Sequence, residues 1–255
     1  MELLTNGMGL SVVVFFPLIS AFIITLIPKA QEQLIKGFAL ASSIITFVIS
    51  AVLLFQFDFS SADKLQLGNK ISWIKSINAN YEIGIDGISL PLLVLSTFIT
   101  VLAIIYSIEH LPEPKSPKGF LALILVLETG MNGTFVALDL ILFFVFFEIV
   151  LLPMYFMIGI WGDKTVRTVS GFKNQIETRL YASIKFFVFT LFGSAFMLLG
   201  FLGLYYRGNK TFSIPELIEL GTSGAFTGTF ATLVFAVLFL GFAVKVPMWP
   251  LHTWL

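Results

Sequence analysis

Seven apolar runs, each nearly free of charge and each long enough to cross about 30 Å of hydrocarbon, take up most of the 255 residues. They lie at 7–28, 37–57, 87–108, 119–138, 140–161, 180–206 and 225–246. Such a chain has one fold class open to it, an all-α, multi-spanning bundle of transmembrane helices, because backbone polar groups surrounded by lipid must be satisfied within their own helix. Hydrophobic residues make up 57% of the chain and charged residues 12%, too little polarity to cover a water-facing surface. The stretch 119–161 is too long for one crossing. Asp139, with Asn132 and Gly133 nearby, predicts a tight reversal there. The leader MELLTNGMG carries an acid and no base, unlike a secretory signal peptide.

Lysine and arginine set the expected direction of insertion. With the N-terminus outside, the inner loops hold Lys29, Lys36, Lys115, Lys118, Lys164, Arg167, Lys173 and Arg179. The outer loops then hold Lys64, Lys70, Lys75, Arg207 and Lys210, spread over longer segments. That bias favours an outer N-terminus. Two outer segments carry patterns of their own. Residues 58–86 alternate apolar positions at Ile71/Trp73 and Tyr81/Ile83/Ile85, which predicts a small β-hairpin. Residues 213–220 read as a short interfacial helix with Ser213 and Glu216 as a capping box, Pro215 in the first turn and Gly221 at the end.

Several chemistries are excluded. Net charge is zero, so there is no basic footprint for nucleic acid. With no cysteine there is no disulfide, iron–sulfur cluster or Cys-bound zinc. The glycine patterns that cradle dinucleotides or nucleotide phosphates are missing. No cofactor is expected in this chain.

What remains is four charges inside spans: Glu128, Glu148, Lys185 and Lys245. A lysine at mid-membrane costs on the order of 2.5–3.5 kcal/mol on insertion scales, so each needs a reason. Glu148 lies roughly 12 Å into its span, among phenylalanines and ahead of Pro153. Lys245 sits in GFAVKVPMWPLHTWL. Pro247 and Pro250 there lack N–H groups, so the carbonyls of Ala243 and Val246 lose their helical partners. Freed carbonyls beside a charge are how ion sites in transporters are built. His252 follows closely and titrates near neutrality. Lys185 lies six residues from Arg179, near the inner surface, where it could equally snorkel. Glu128 is mid-span with no evident partner.

Desolvation weakens an amine's hold on its proton, and a nearby carboxylate strengthens it. At ~8 Å and an effective dielectric of ~20, such a pair is worth about 2 kcal/mol. A few ångströms of movement between Glu148 and Lys245 would therefore switch a proton on or off without any cofactor. The plainer alternative is a scaffold whose buried charges only hold helices together.

These residues also carry a resemblance. FFVFFEIVLLPMYFMIGIWG (143–162) and FAVKVPMWPLHTWL (242–255) resemble the antiporter-like, proton-pumping membrane subunits of respiratory complex I, NADH–quinone oxidoreductase. YEIGIDGISLPL (81–92) and GMNGTFVALDL (130–140) are similar to them too. Leu151-Leu152-Pro153-Met154-Tyr155 is most like the branch known as subunit M or chain 4. The likeness weakens only at 58–80 and 207–224.

The resemblance implies a fold of about fourteen helices containing two inverted five-helix repeats. Residues 1–118 would be the first three helices with the outer loop 58–86, and 119–255 an incomplete first repeat. It implies that Glu148, Lys245 and Lys185 belong to a proton half-channel; His252, from its position alone, could relay protons beside them. NADH, FMN, iron–sulfur clusters and quinone would be held by partner subunits, with neighbouring antiporter-like subunits and lipid as the contacts of this chain. The expected location is a bacterial inner membrane, or alternatively an organelle's inner membrane. The family continues past His-x-Trp-Leu into Pro-Asp-Ala-His and further helices, so the chain reads as an N-terminal fragment that would not conduct protons alone. A subunit of a multisubunit sodium/proton antiporter or of a membrane-bound hydrogenase is the alternative reading.

Overall fold

The structure, a computed structural model, describes residues 7–167 and 176–255. Lys173, one of the expected inner-loop bases, lies outside them. All seven spans are helical and apolar enough to cross a membrane. They are α1 (Met8–Leu26), α2 (Glu32–Gln56), α3 (Ser89–Glu109), α4 (Pro117–Val136), α5 (Leu140–Ile149) with α6 (Leu151–Trp161), α7 (Thr178–Arg207) and, after the short α8 (Ile214–Thr222), α9 (Gly228–Lys245). The expected hairpin is present as β1 (Gln66–Ile74) and β2 (Ala79–Ile85), paired in a two-stranded sheet. A second, shorter pair joins β3 (Val166–Arg167) to β4 (Ile176–Glu177), antiparallel.

Local chemistry sets most of the boundaries. Pro117 opens α4, where its missing N–H has no helical partner to lose. Asp86 Oδ1 accepts from the N–H groups of Ile88 and Ser89 at 3.0 and 2.8 Å, starting α3. Pro153 withholds its N–H from the carbonyl of Ile149, and helical geometry is interrupted at Val150, one turn earlier. Two expectations about α8 are corrected. Ser213 is its N-cap residue, but its hydroxyl makes no capping bond; its N–H instead donates to Thr211 Oγ1 at 3.1 Å. Gly221 lies inside the helix. The end is made by Gly224, at φ +88°, with Gly224 N–H bonding Gly221 O and Ala225 N–H bonding Leu220 O, both near 3 Å. That double bond pattern is a Schellman motif, which favours glycine at its left-handed position.

The reversal between α4 and α5 falls at Asp139 as expected, but without Asn132 and Gly133. Asn132 and Gly133 are inside α4, and the turn is Ala137 to Asp139. Asp139 accepts from Ile141 N–H at 2.9 Å and Leu142 N–H at 3.2 Å, capping α5. Asn132 is buried because α1 needs it. Pro17 stands in the interior of α1, so the carbonyl of Val13 has no helical donor. Asn132 Nδ2 supplies one at 3.2 Å.

The chain packs as two units. The first runs up to Lys75 and resumes over Asn80–Val150; the second comprises Ser76–Ala79 and Leu151–Leu255. In the first, Leu10, Val13 and Val14 of α1, Leu53 and Phe57, Ile83 and Ile85 of β2, Leu90 and Leu93, and Leu142 and Phe146 form an apolar core at the hairpin end. Further along the helices the buried faces carry small polar residues, Ser20, Ser42, Ser43, Thr46, Thr97 and Thr100. Large side chains such as Phe22 and Phe55 are exposed. This inversion suits lipid, which gives apolar side chains no incentive to turn inward, so small residues are left to bring helices close. In the second unit the same logic joins α7 to α9. A Cβ on Gly241 would lie 2.8 Å from Met197 Cβ and 3.0 Å from the carbonyl of Gly193.

Gly133 is the tightest such position in the first unit, since a Cβ there would meet the ring of Phe146 at 2.2 Å. Gly133→Val is expected to lower stability by about 1–3 kcal/mol, the usual cost of forcing atoms into a packed contact. A fall in the thermal midpoint of the detergent-solubilised protein would register it.

Candidate functional site

Glu148 belongs to the first unit, while Lys185, Lys245 and His252 belong to the second. Glu148 is the penultimate residue of α5, half-buried, directly ahead of the interruption at Val150. Its turn is pressed against α4. A Cβ on Gly130 would lie 2.7 Å from Val150 Cγ2 and 3.2 Å from the carbonyl of Phe146. The start of α5 is fixed independently by Asp139, fully buried, whose second oxygen accepts from Asn80 N–H of β2 at 2.9 Å. Burial, the larger influence, pushes the Asp139 carboxyl up, against the pull of the Asn80, Leu142 and Ile141 N–H groups and the charge of Lys70. Lys70 itself pairs with Glu82 at 3.3 Å, and Glu82 O accepts from Leu138 N–H at 2.8 Å. The hairpin is thus bonded to the turn that places Glu148.

Lys245 is the last residue of α9, half-buried. The helix breaks after it as Pro247 requires, but the carbonyl of Ala243 is not left free. Met248 N–H, one residue further along than a helical donor, bonds it at 2.9 Å. That shift leaves Val244 O without its own helical donor, and the indole N–H of Trp254 takes it at 2.8 Å. The tail after Lys245 is therefore folded back onto α9. It also meets α7: Lys185 Nζ donates to the carbonyl of Thr253, and the rings of Phe186 and Trp254 lie 5.2 Å apart. Lys185 additionally lies 5.7 Å from the centre of the Tyr181 ring. The structure thus brings Lys185 together with the tail that follows Lys245. His252 is exposed on that tail.

The roles of Thr253 and Trp254 were not legible in the sequence. A tryptophan ten residues beyond its acceptor follows no helical or strand period. The only signal was negative, in that two prolines free carbonyls that something must satisfy.

These elements, seven spans with a proline-broken helix ending in a lysine and an acid beside a second proline break, define a multi-spanning membrane protein that carries charges at its helix interruptions. Residues 137–255 match the family described as NADH:quinone oxidoreductase/Mrp antiporter, TM, and residues 12–134 match NADH-ubiquinone oxidoreductase chain 4, amino terminus. The NADH-quinone oxidoreductase subunit M of Rhodobacter capsulatus is 37% identical over 259 residues, covering 96% of this chain and 47% of that protein. The NAD(P)H-quinone oxidoreductase chain 4 of Gloeobacter violaceus is 36% identical over 248 residues, covering 96% of this chain and 43% of its own length. The fold is shared with a chain of respiratory complex I from Thermus thermophilus, at a TM-score of 0.77, 24% identity, and coverage of 96% of this chain and 46% of that one. It is shared also with a chain of the Mrp complex from Dietzia sp. DQ12-45-1b, at 0.76, 16% identity, 96% and 24%.

The chain belongs to the antiporter-like membrane subunits common to NADH:quinone oxidoreductases and Mrp antiporters. Within that class it belongs to the chain 4, or subunit M, family. It is a multi-pass membrane protein, and it spans about half the length of the curated relatives it matches.

Proposed function

We propose that this chain is part of a proton-translocating membrane subunit of NADH–quinone oxidoreductase. NADH oxidation and quinone reduction occur in partner subunits, which hold NADH, FMN, iron–sulfur clusters and quinone. Glu148 and Lys245 form the charge pair whose separation sets proton affinity. Lys185 and His252 pass protons to and from it. The observation that carries this reading is the end of α9. A lysine closes a proline-broken membrane helix whose carbonyls are re-bonded by Met248 and Trp254, which holds the cation at a fixed place in a segment that would otherwise unravel. On this reading the chain lies in a bacterial inner membrane with its N-terminus outside, an orientation that the bias of the basic loops supports.

The second reading is favoured by the shared fold with a chain of an Mrp complex and by a family description that includes Mrp antiporters. On it, the chain serves sodium/proton exchange. Intact enzyme in sealed vesicles separates the two. Quinone-linked acidification that is unchanged when sodium is replaced by potassium supports proton pumping. Acidification that requires sodium, or sodium flux in the absence of quinone turnover, refutes it in favour of exchange.

A further inference from the structure

Glu128 is used by neither reading, yet no acid in the described residues is more deeply buried. It is 0% exposed, and neither carboxyl oxygen has a hydrogen-bond partner among them. Buried polar groups are nearly always satisfied, and an exception calls for an explanation. Two hydroxyls on the helices packed against it share its condition: Ser20 Oγ on α1 and Ser42 Oγ on α2, both on buried residues and both without a partner among the described residues.

Hydrogen bonds between helices fix where these groups stand. Asn132 bonds Val13 O and Lys118 bonds Ile27 O, at 3.2 and 2.7 Å. The two contacts are fourteen residues apart on both α1 and α4, so the antiparallel helices keep step, and Glu128 comes level with Pro17. Ser20 is three residues beyond, about 4.5 Å along the axis. On the other side Ser96 bonds Asn132 at 3.2 Å, and the adjacent Thr97 bonds Ser50 of α2 at 2.7 Å. By the same count Thr100 of α3 is level with Glu128. Ser42, two turns from Ser50, lies about 8 Å past that level toward Lys118. Helical side chains lean toward the N-terminus of their own helix, so Glu128 leans toward Lys118 as well, to the side where both serines stand.

Its own helix turns it away from Glu148. Gly130 and Gly133 face α5, and two residues of helix, from 128 to 130, are about 200° of rotation. Glu128 therefore faces α1, α2 and α3, and α5 carries Glu148 behind it. The other titratable residues on the packed helices are near helix ends: Glu32 and Lys36 on α2, Tyr106 and Glu109 on α3, and Lys118 on α4. The sequence of α1 contains none. Glu128 lies about 16 Å from the start of α4, near the middle of the membrane.

We infer that Glu128 is the proton-binding group of a second buried site, separate from Glu148 and Lys245, in which water held by the Ser20 and Ser42 hydroxyls carries protons to it from the Lys118 side. The chemistry fits: three groups on three helices, each lacking a protein partner, offer the polar contacts that a short chain of buried waters needs.

Infrared spectroscopy of the intact membrane complex tests this apart from pumping. In the wild-type minus Glu128→Gln difference spectrum, a carboxyl C=O band is expected that shifts within minutes of transfer to D2O. It is expected to persist in Glu148→Gln. Ser20→Val and Ser42→Val, which leave Glu128 in place, are expected to slow the D2O shift at least about tenfold, the loss typical of removing a proton-transfer group. If Glu128→Gln fails to assemble, Glu128→Asp, which keeps a carboxyl but moves its band, makes the assignment on which the serine variants report. A carboxyl band that never exchanges marks a dry structural acid and overturns the inference. So does a band that vanishes on adding sodium at constant pH, which marks a metal-cation site, and so does exchange unaffected by both serine variants.

Discussion

Glu148→Gln is expected to lower quinone-linked proton pumping at least about tenfold, in the range lost when a proton-transfer group is removed, with the complex still assembled. Glutamine keeps the size of the side chain and its ability to hydrogen-bond, so the turn of α5 pressed onto Gly130 is undisturbed. What disappears is the negative charge. At ~8 Å and an effective dielectric of ~20 that charge is worth about 2 kcal/mol to a neighbouring amine, roughly thirtyfold in proton affinity. Acidification of vesicles, measured alongside quinone reduction in the same sample, gives the result as protons per quinone. Assembly is read from the size of the solubilised complex. Loss of assembly with unchanged stoichiometry in the surviving enzyme would instead assign Glu148 to holding helices together.

Asp139→Ala is expected to have the largest effect on stability. One carboxylate oxygen caps α5 through Ile141 and Leu142, and the other takes the buried N–H of Asn80. Loss of the cap costs about 0.5–2 kcal/mol, and the orphaned N–H adds about 1–3 kcal/mol. A total of about 2–4 kcal/mol would appear as a lower thermal midpoint of the solubilised protein. Asp139→Asn retains an oxygen for the cap but turns an amide toward Asn80 N–H or loses that contact, so it is expected to fall between. Since this bond network positions the start of α5, the alanine variant should also weaken pumping.

The spans, the hairpin and the short α8 were legible because each rests on a local rule: length against membrane thickness, strand alternation, proline in a first helical turn. What was misread has a common cause. Asn132 and Gly133 form a turn signal in water, but inside lipid a glycine brings helices together, and an asparagine is useful where a neighbouring proline frees a carbonyl. Ser213 followed by Glu216 has the spacing of a capping box, yet Thr211 takes the serine's N–H into a different turn. Pro247 does free Ala243 O from its normal donor, but the one-residue shift to Met248 depends on where Trp254 returns, which no local pattern encodes. Glu128 was visible as a charge out of place. Its partnerless state was not, because helices apolar on every face give no periodic sign of which side is buried.

The central claim, that Glu148 and Lys245 trade protonation according to their separation, is tested most directly by maps of the intact complex at rest and during turnover, at a resolution that shows ordered water. The account predicts the two head groups within about 8 Å of each other in one state, where the pair energy is about 2 kcal/mol, with the gap changed by several ångströms in the other. A separation above about 15 Å of dry packing in both states, roughly two screening lengths, or either head group facing lipid, would contradict it.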